Sequence, residues 1–214
     1  MNSADLSKIL EEHKVWITSM RESGSRANLC DANLCGADLR GANLCDANLR
    51  GADLRGANLC DANLCDTNLC DANLCDTNLR GADLYGADLR DANLCGADLC
   101  DTNLCDANLC DTNLRGADLY GADLRDANLC GADLPDLTFV ILGEKYFISI
   151  TNGEYVRAGC QNHTVEEWRK YSKQEITEMD GRKALKFYPR LLSIIDFYLG
   201  AGEWPDWVKS DGEE

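Results

Sequence analysis

A leucine recurs at every fifth position from Leu29 to Leu134, and the series of 22 leucines has no interruption. The residue two positions before each leucine is alanine, or threonine at positions 67, 77, 102 and 112. A period of five matches neither the 3.6-residue period of an amphipathic helix nor the two-residue alternation of a strand. The many Gly, Asn and Asp residues between the leucines also disfavour a helix. The pattern predicts one side of a solenoid coil for every five residues, with the leucine and the small residue pointing inward.

Residues 25–135 resemble the pentapeptide-repeat family, whose consensus A(D/N)LXX matches all 22 units when threonine is accepted for alanine in four of them. The resemblance implies an all-β solenoid, a right-handed quadrilateral β-helix with four pentapeptides in each coil. The three other positions of each unit would then face outward. The 22 units would make five and a half coils. At the ~4.8 Å spacing of hydrogen-bonded strands, the solenoid would be about 26 Å long.

The flanking segments are predicted to cap the solenoid, because open coils expose backbone hydrogen-bonding groups and leucines. Residues 1–24 are predicted to form an N-terminal capping helix and a turn, with the helix over residues 3–20. Apolar residues recur there at helical spacing. They are Leu6, Ile9, Leu10, Trp16, Ile17 and Met20, and His13 falls at the same spacing.

Residues 136–214 are predicted to form a C-terminal α+β cap that begins with a β-hairpin. Asn152-Gly153 is a strong hairpin signal between two apolar runs. The predicted strands are Thr138–Leu142, Tyr146–Thr151 and Glu154–Ala158. The segment GCQNHTVEEW at residues 159–168 resembles the tails of phage and prophage pentapeptide-repeat proteins.

The rest of the C-terminal segment predicts helices. Thr164 with Glu167, and Ser172 with Glu175, are capping boxes that open two short helices. Pro189 is predicted to open or kink a last helix. That helix is apolar on more than one side, which predicts a homodimer contact. Its apolar residues are Leu191, Leu192, Ile194, Ile195, Phe197, Tyr198 and Leu199.

The net charge of −16 argues against direct binding to nucleic acid or to an anionic membrane, since both require a basic surface. No apolar stretch approaches the ~20 residues of a membrane span. The first residues lack the basic and apolar regions of a signal peptide, so the 13 cysteines are interpreted as reduced thiols and the protein as cytoplasmic.

Cysteine follows the leucine in twelve units, and these thiols are predicted to lie free on the outer surface. A 20-residue coil stacks Cys45 on Cys65, Cys75 on Cys95, and Cys110 on Cys130. Parallel side chains ~4.8 Å apart lie beyond the ~4 Å between Cβ atoms of a disulfide. A thiolate metal site needs four converging ligands. We therefore expect no metal and no cofactor.

Cys160 and His163 form half of a zinc signature, and they could also be a nucleophile and a base. No second metal-ligand pair follows at finger spacing, and nothing in the sequence supplies a third group to orient a catalytic histidine. The sequence therefore predicts a protein that is not an enzyme, with no catalytic or cofactor-binding residues.

Residues 25–134 contain 19 Asp, 8 Arg and neither Glu nor Lys, which gives a net charge of −11. Units that begin with Asp always have Asn before the leucine, and units with Asp before the leucine always begin with Gly. One carboxylate per ~1.4 Å and one net charge per ~2.4 Å bracket the ~1.7 Å per phosphate of duplex DNA. Alternatively, short Asp and Asn side chains simply suit turn corners, and charge favours solubility.

The resemblance also bears on function, because some pentapeptide-repeat proteins resemble duplex DNA in width and charge and bind DNA gyrase. We therefore predict a DNA mimic that inhibits or modulates a DNA-binding protein, such as a topoisomerase or a defence complex that targets nucleic acid. The alternative is a structural or interaction scaffold whose C-terminal cap binds the partner. The predicted electrostatic surface comprises Asp61, Asp66, Asp71, Asp76, Asp83, Asp88, Asp91, Asp98, Asp101, Asp106 and Asp111.

Overall fold

The computed structural model describes residues 3–141 and 144–210. Contacts divide the chain into two compact units, Met1–Asp136 and Leu137–Glu214. The first unit consists of helix α1, Ser3–Thr18, followed by the repeats. The second unit contains a small sheet and three helices. The two units are described separately below.

The repeats form a parallel β-solenoid in which each coil contains four pentapeptides. Parallel bridges join residues 20 positions apart, from Asn28↔Asn48 to Asn113↔Asp133. Each bridge is held on both sides by backbone hydrogen bonds. In the bridge Asn48↔Asn68, for example, the Asn68 amide donates to the Ala47 carbonyl at 3.0 Å, and the Leu49 amide donates to the Asn68 carbonyl at 2.8 Å. The bridges are single residues because the chain turns a corner after every five.

The inside of the solenoid is filled by the leucines and the small residues, as the period of five predicts. Leucines from Leu44 to Leu119 are at most 1% exposed. Only in the last coil do Leu129 and Leu134 become half-buried. The four repeat threonines are also buried, and each hydroxyl donates to a leucine carbonyl of the preceding coil, as Thr67 does to Leu44 at 2.8 Å. Threonine therefore replaces alanine without leaving a buried polar group unpaired.

Helix α1 packs one histidine against the first coil. His13 is fully buried, and its Nδ1 atom accepts a hydrogen bond from the Ala27 amide at 3.1 Å. The prediction of a helix to residue 20 is wrong at its end. Met20 is 88% exposed and, like Arg21, has positive φ. The Arg21 amide donates to the Trp16 carbonyl at 2.8 Å, so a left-handed turn ends the helix before Met20 can join its apolar side.

The second unit contains an antiparallel sheet in the order β1, Phe139–Ile141; β2, Ile148–Thr151; β3, Tyr155–Ala158; and β4, Gln161–Thr164. Three strands lie within the predicted ranges, although Leu142 is outside the described residues. Asn152 and Gly153 both have positive φ between β2 and β3, as the hairpin signal predicts. Strand β4 was not predicted, because its polar sequence QNHT lacks an apolar alternation.

Three helices follow the sheet: α2, Val165–Trp168; α3, Lys173–Leu199; and α4, Asp206–Ser210. Both predicted capping boxes are present, at Thr164 and at Ser172. The prediction of a break at Pro189 is wrong, because helix α3 continues through it. The break lies at Asp180 and Gly181, where Gly181 adopts φ 57° and ψ −143°. That conformation is accessible essentially to glycine alone.

A hydrophobic core joins the sheet of the second unit to its helices. Trp168 lies at its centre, and the indole Nε1 donates to the Val156 carbonyl at 2.7 Å. The Tyr188 hydroxyl donates to the Trp168 carbonyl. The buried members are Ile148, Ile150, Val156, Trp168, Ile176, Tyr188, Leu191, Leu192, Ile194, Ile195 and Val208.

We expect Leu79→Asp to unfold the solenoid. Leu79 is fully buried, so the substitution removes an apolar contact worth about 3 kcal/mol or more and places an unpaired carboxylate in an apolar interior. The matched control is Asn78→Asp, because Asp occupies the same outward position in eight other units. Circular dichroism melting should show a folded control and an unfolded Leu79 variant. Equal melting temperatures would contradict the inward position of the leucine.

We expect His13 to make the first coil sensitive to acid. Burial is the main cause that lowers the pKa of His13 below its ordinary value of 6.5, and the Arg26 charge acts in the same direction. A hydrogen bond with the Cys45 backbone and the Asp46 charge act against it. The unfolded chain therefore binds the proton more tightly, so stability is complete above pH 6.5 and decreases as the pH falls below it.

Melting temperatures measured from about pH 7 to about pH 5 should test this dependence. His13→Gln should reduce the slope, since glutamine keeps an acceptor for the Ala27 amide without titrating there. His163→Gln is the comparison variant, because it removes the other histidine, whose pKa is also lowered by burial, and leaves His13 in place. An unchanged slope in the His13 variant would contradict the assignment.

Candidate partner-binding surface of the solenoid

The first residue of each repeat unit lies at a corner of the coil and has a left-handed backbone. From residue 31 to residue 131 this position is always Asp or Gly, and every one of these residues has φ between 53° and 72°. Glycine adopts this region freely, and Asp and Asn tolerate it better than other residues do. The corner geometry thus explains why each unit begins with Asp or Gly.

The residue before each leucine has a different structural role. Its side-chain Oδ1 atom accepts a hydrogen bond from the backbone N–H of the residue after the leucine, as Asn68 does from Cys70 at 3.0 Å and Asp98 does from Cys100 at 3.0 Å. The same bond recurs along the repeats up to Asn128 and Cys130 at 3.2 Å. This local turn requires an Asn or Asp. Pro135, which has no N–H, stands at the equivalent position where the repeat ends.

These two roles do not require a negative charge. Asn occupies the position before the leucine in many units and makes the same turn there as Asp. Asn also suits a left-handed corner at least as well as Asp does. Yet from residue 26 to residue 131 no corner is occupied by Asn. Geometry therefore accounts for short polar residues at these positions, but not for the choice of carboxylate over amide.

The 20-residue coil arranges the corner residues in columns along the solenoid. The Asp31 carboxylate lies over the next corner of its column, at Gly51. A Cβ added at Gly51 would lie only 2.4 Å from Asp31 Oδ1, so a larger residue there would clash with the carboxylate. Two columns are rich in aspartate, and we call them the acidic edges. The first acidic edge comprises Asp46, Asp66, Asp106 and Asp126. The second acidic edge comprises Asp31, Asp71, Asp91 and Asp111.

The acidic edges border the same side of the solenoid, the side whose inward leucines are Leu29, Leu49, Leu69, Leu89, Leu109 and Leu129. The remaining corner aspartates are Asp61 and Asp101 on a third column and Asp76 on the fourth. Asp83, Asp88 and Asp98 lie before leucines, where they are half-buried. One carboxylate per unit would predict similar charge on every side, but the corner carboxylates are concentrated along one side.

Arginines neutralise part of this charge. Of the predicted surface residues, Asp88 pairs with Arg90 at 2.6 Å, Asp71 with Arg50 at 3.3 Å, and Asp101 with Arg80 at 3.4 Å. A hydrogen bond from the Arg90 guanidinium is the main cause that lowers the pKa of Asp88. The arginine of each pair is exposed, and such surface pairs contribute little to stability. Their main effect is to reduce the negative charge locally.

The cysteines are free throughout the described residues, but they are less accessible than predicted. Cys100 is 6% exposed, and most other repeat cysteines are half-buried. Burial is the main cause that raises the pKa of Cys65 and of Cys100 to about 12, and hydrogen bonds to Asp83 and to Asp98 contribute next. Thiols with such high pKa values are poor nucleophiles at neutral pH.

Cys160 and His163 do not form a recognisable metal or catalytic site. Cys160 is exposed. The His163 ring packs edge-on against Trp168 and Tyr171, with centroids 5.1 and 5.2 Å away, and its Nε2 lies 3.3 Å from Gln161 Oε1. In the described part of the chain, no three or more His, Cys, Asp or Glu residues are grouped so that they could hold a metal.

The second unit contains a cavity of about 300 Å³ that the sequence did not indicate. The connection between β1 and β2 contributes Tyr146 to its lining, the first half of helix α3 contributes Ile176 and Met179, and the second half contributes Phe187 and Tyr188. The Tyr146 hydroxyl donates to Asp180 at 2.5 Å, beside the helix break. Asp180, at the break in helix α3, lines the cavity. No local sequence signal distinguishes this break from an ordinary Asp-Gly pair within a helix.

Within the described residues, no helix has both the length and the apolar character needed to cross a membrane.

The coils define the first unit as a four-sided parallel β-solenoid. The sequence profile for pentapeptide repeats matches it in eight copies, over residues 25–59, 57–96, 87–126 and 97–136. The chain therefore belongs to the pentapeptide-repeat family, whose members fold as right-handed quadrilateral β-helices. The comparison with curated protein sequences gave no match.

Several solved pentapeptide-repeat structures are similar to part of this chain. HetL, which is involved in heterocyst differentiation regulation in Nostoc sp. strain PCC 7120, is 38% identical over 52% of this chain, with a TM-score of 0.46. Rfr23 from Cyanothece 51142 is 35% identical over 51% of this chain and 86% of its own, with a TM-score of 0.48. QnrB1, a plasmid-mediated fluoroquinolone resistance protein, is 24% identical over 53% of this chain and 67% of its own, with a TM-score of 0.28. This chain covers 61% of HetL.

We expect the thiols to react in an order set by exposure. In the native protein Cys30, Cys35, Cys130 and Cys160 should react first with a thiol reagent, and Cys65 and Cys100 should react last because burial raises their pKa. Mass spectrometry of partly labelled protein measures this order. After unfolding without reductant, all 13 cysteines should react. A lower count restored by reductant would reveal disulfides and contradict the expectation.

Proposed function

We propose that this protein is a non-enzymatic mimic of the DNA phosphate backbone that occupies the DNA-binding groove of another protein. The observation that carries the proposal is the pair of acidic edges, which present two rows of carboxylates along one side of the solenoid. Duplex DNA likewise presents two rows of negative charge to its partners. A topoisomerase such as gyrase, or a defence complex that targets nucleic acid, has the basic groove that such rows would fit.

The absence of Asn from the corners supports this proposal over a purely structural origin of the aspartates. Asp66, Asp91, Asp106 and Asp111 are exposed corner residues on the acidic edges. Amides would fit their backbone conformation equally well. A surface that gains nothing from charge would be expected to mix Asn and Asp at these positions, as the positions before the leucines do. Long-range attraction to a basic groove gives the carboxylates a use that amides lack.

The alternative is a scaffold in which the second unit binds the partner or a second copy of the chain. One feature favours it. Phe197 on helix α3 is 81% exposed, and it lies beside Tyr198, Ile194 and Ile141 around a shallow cavity. An aromatic side chain exposed to this degree beside other apolar residues is typical of a protein contact. A homodimer through this helix is compatible with either proposal.

Neutralising one coil should test the charge proposal. Asp61, Asp66, Asp71 and Asp76 occupy the four corners of one coil, and replacing all four with Asn keeps side chains that tolerate a left-handed backbone. Binding to purified DNA gyrase at low salt should weaken by about tenfold or more, because electrostatic complementarity sums many small contributions. The single variant Asp83→Asn should change binding by less than about twofold.

The matched control replaces Cys60, Cys65, Cys70 and Cys75 of the same coil with Ser, which leaves the charge unchanged. Binding should also weaken as salt rises, and duplex DNA should compete for the same groove. If the four-Asp variant binds like the parent while Phe197→Ser abolishes binding, the scaffold is correct. Binding that duplex DNA does not displace would also contradict mimicry.

A further inference from the structure

Three pairs of cysteines stack directly, one coil above the other, and the pair Cys75 and Cys95 is the best placed for joint chemistry. The bridge Asn73↔Asn93 sets its register, and the Asp76 amide donates to the Cys95 carbonyl at 2.9 Å. The two thiols therefore project from adjacent, hydrogen-bonded backbones in the same direction. They are close enough that the Cys95 thiol contributes to the raised pKa of Cys75, whose main cause is burial.

The spacing of this pair disfavours a disulfide, and two thiols are too few for a zinc site, but the pair fits a linear two-coordinate ion. Parallel side chains keep the two Cβ atoms about as far apart as the backbones, ~4.8 Å, whereas the Cβ atoms of a relaxed disulfide are ~3.8 Å apart. A tetrahedral zinc site needs four ligands, whereas groups of three or more are missing from the described residues. A linear two-coordinate ion needs only two sulfurs. With metal–sulfur bonds close to the ~2.3 Å of zinc, two sulfurs on opposite sides of the ion lie about 4.6 Å apart, close to the ~4.8 Å spacing of stacked strands.

We propose that Cys75 and Cys95 form a site for a soft monovalent ion of the Cu(I) class, bound linearly between the two sulfurs. Thiolate is the ligand type that selects Cu(I). Binding would release both thiol protons, so two thiols and one Cu(I) give a dithiolate complex of net charge −1 and two protons. The oxidation state of copper and of sulfur does not change. The expectation of no metal assumed four ligands, which this ion does not need.

The surroundings favour this pair over the pair Cys45 and Cys65. In the same column Arg55 precedes Cys75 by one coil and Arg115 follows Cys95 by one coil, so a guanidinium group lies on each side of the pair. Each guanidinium also pairs with an aspartate, Arg55 with Asp53 at 2.6 Å and Arg115 with Asp133 at 3.2 Å. By contrast, Cys65 is hydrogen-bonded to Asp83, and Cys45 Sγ lies 3.9 Å from Asp46 Oδ2. Carboxylates there hold the protons that a metal must displace.

Anaerobic titration with Cu(I) supplied as its bicinchoninate complex tests the site, because protein binding removes the colour of that complex. The variant Cys75→Ser/Cys95→Ser should retain one equivalent of Cu(I) fewer than the parent. The matched control Cys35→Ser/Cys60→Ser also removes two thiols, but both are followed one coil later by arginine, so no stacked pair is lost. The control should retain as much Cu(I) as the parent.

An equal loss in both variants would mean that copper binds thiols without regard to register and would overturn the proposal. No loss in the pair variant would also overturn it. X-ray absorption of the parent loaded with one equivalent of Cu(I) should show two sulfur neighbours, and three or more would contradict a linear site. Circular dichroism of both variants shows whether the solenoid is intact. The copper titration does not depend on the gyrase-binding measurements, so the two proposals can fail separately.

Discussion

The solenoid depends on one local hydrogen bond, repeated in every unit but the last, from the backbone N–H after each leucine to the Asn or Asp before it. This bond fixes the turn that leads into each left-handed corner. The corners bring every twentieth residue into register, and the backbone bridges then stack the leucines. Columns of corner carboxylates and stacked cysteines are consequences of the same register. The repeat ends at Pro135, which cannot donate this bond.

Much of the first unit follows from the sequence, because its structure is local and repeated. The period of five predicts inward leucines, and the burial of the leucines bears this out. The number of units in a coil came from the family resemblance, since a period of five does not by itself say how many turns close a coil. Only with the number of units per coil can Asp66 and Asp111 be placed along the same side of the solenoid. The sequence alone shows no more than one carboxylate per unit, which suggests an even distribution.

The second unit was harder to predict, because its structure depends on contacts between distant residues. Its capping boxes and its Asn152-Gly153 turn are local, and both are present. Strand β4 has no apolar pattern, and it forms because β3 offers an edge to pair with. The break at Gly181 lies where Tyr146, from another part of the chain, bonds Asp180. A sequence pattern does not record such a contact.

The two structural roles of aspartate in the solenoid can both be filled by asparagine, so the charge calls for an explanation of its own. At the corners the choice is Asp or Gly, without Asn. Nearby carboxylates repel one another, and the exposed arginine pairs only partly relieve this repulsion. A function that uses the charge is the explanation we favour, and it places the function on the outer surface of the coils.

Thermal unfolding of a solenoid with neutral acidic edges tests this account most directly. The variant would replace Asp31, Asp46, Asp66, Asp71, Asp91, Asp106, Asp111 and Asp126 with Asn. If the charge has no structural role, the variant should melt at the same temperature as the parent or at a higher one, because repulsion is removed. A large decrease in melting temperature would mean that the carboxylates stabilise the corners themselves, and the charge would then need no partner to explain it.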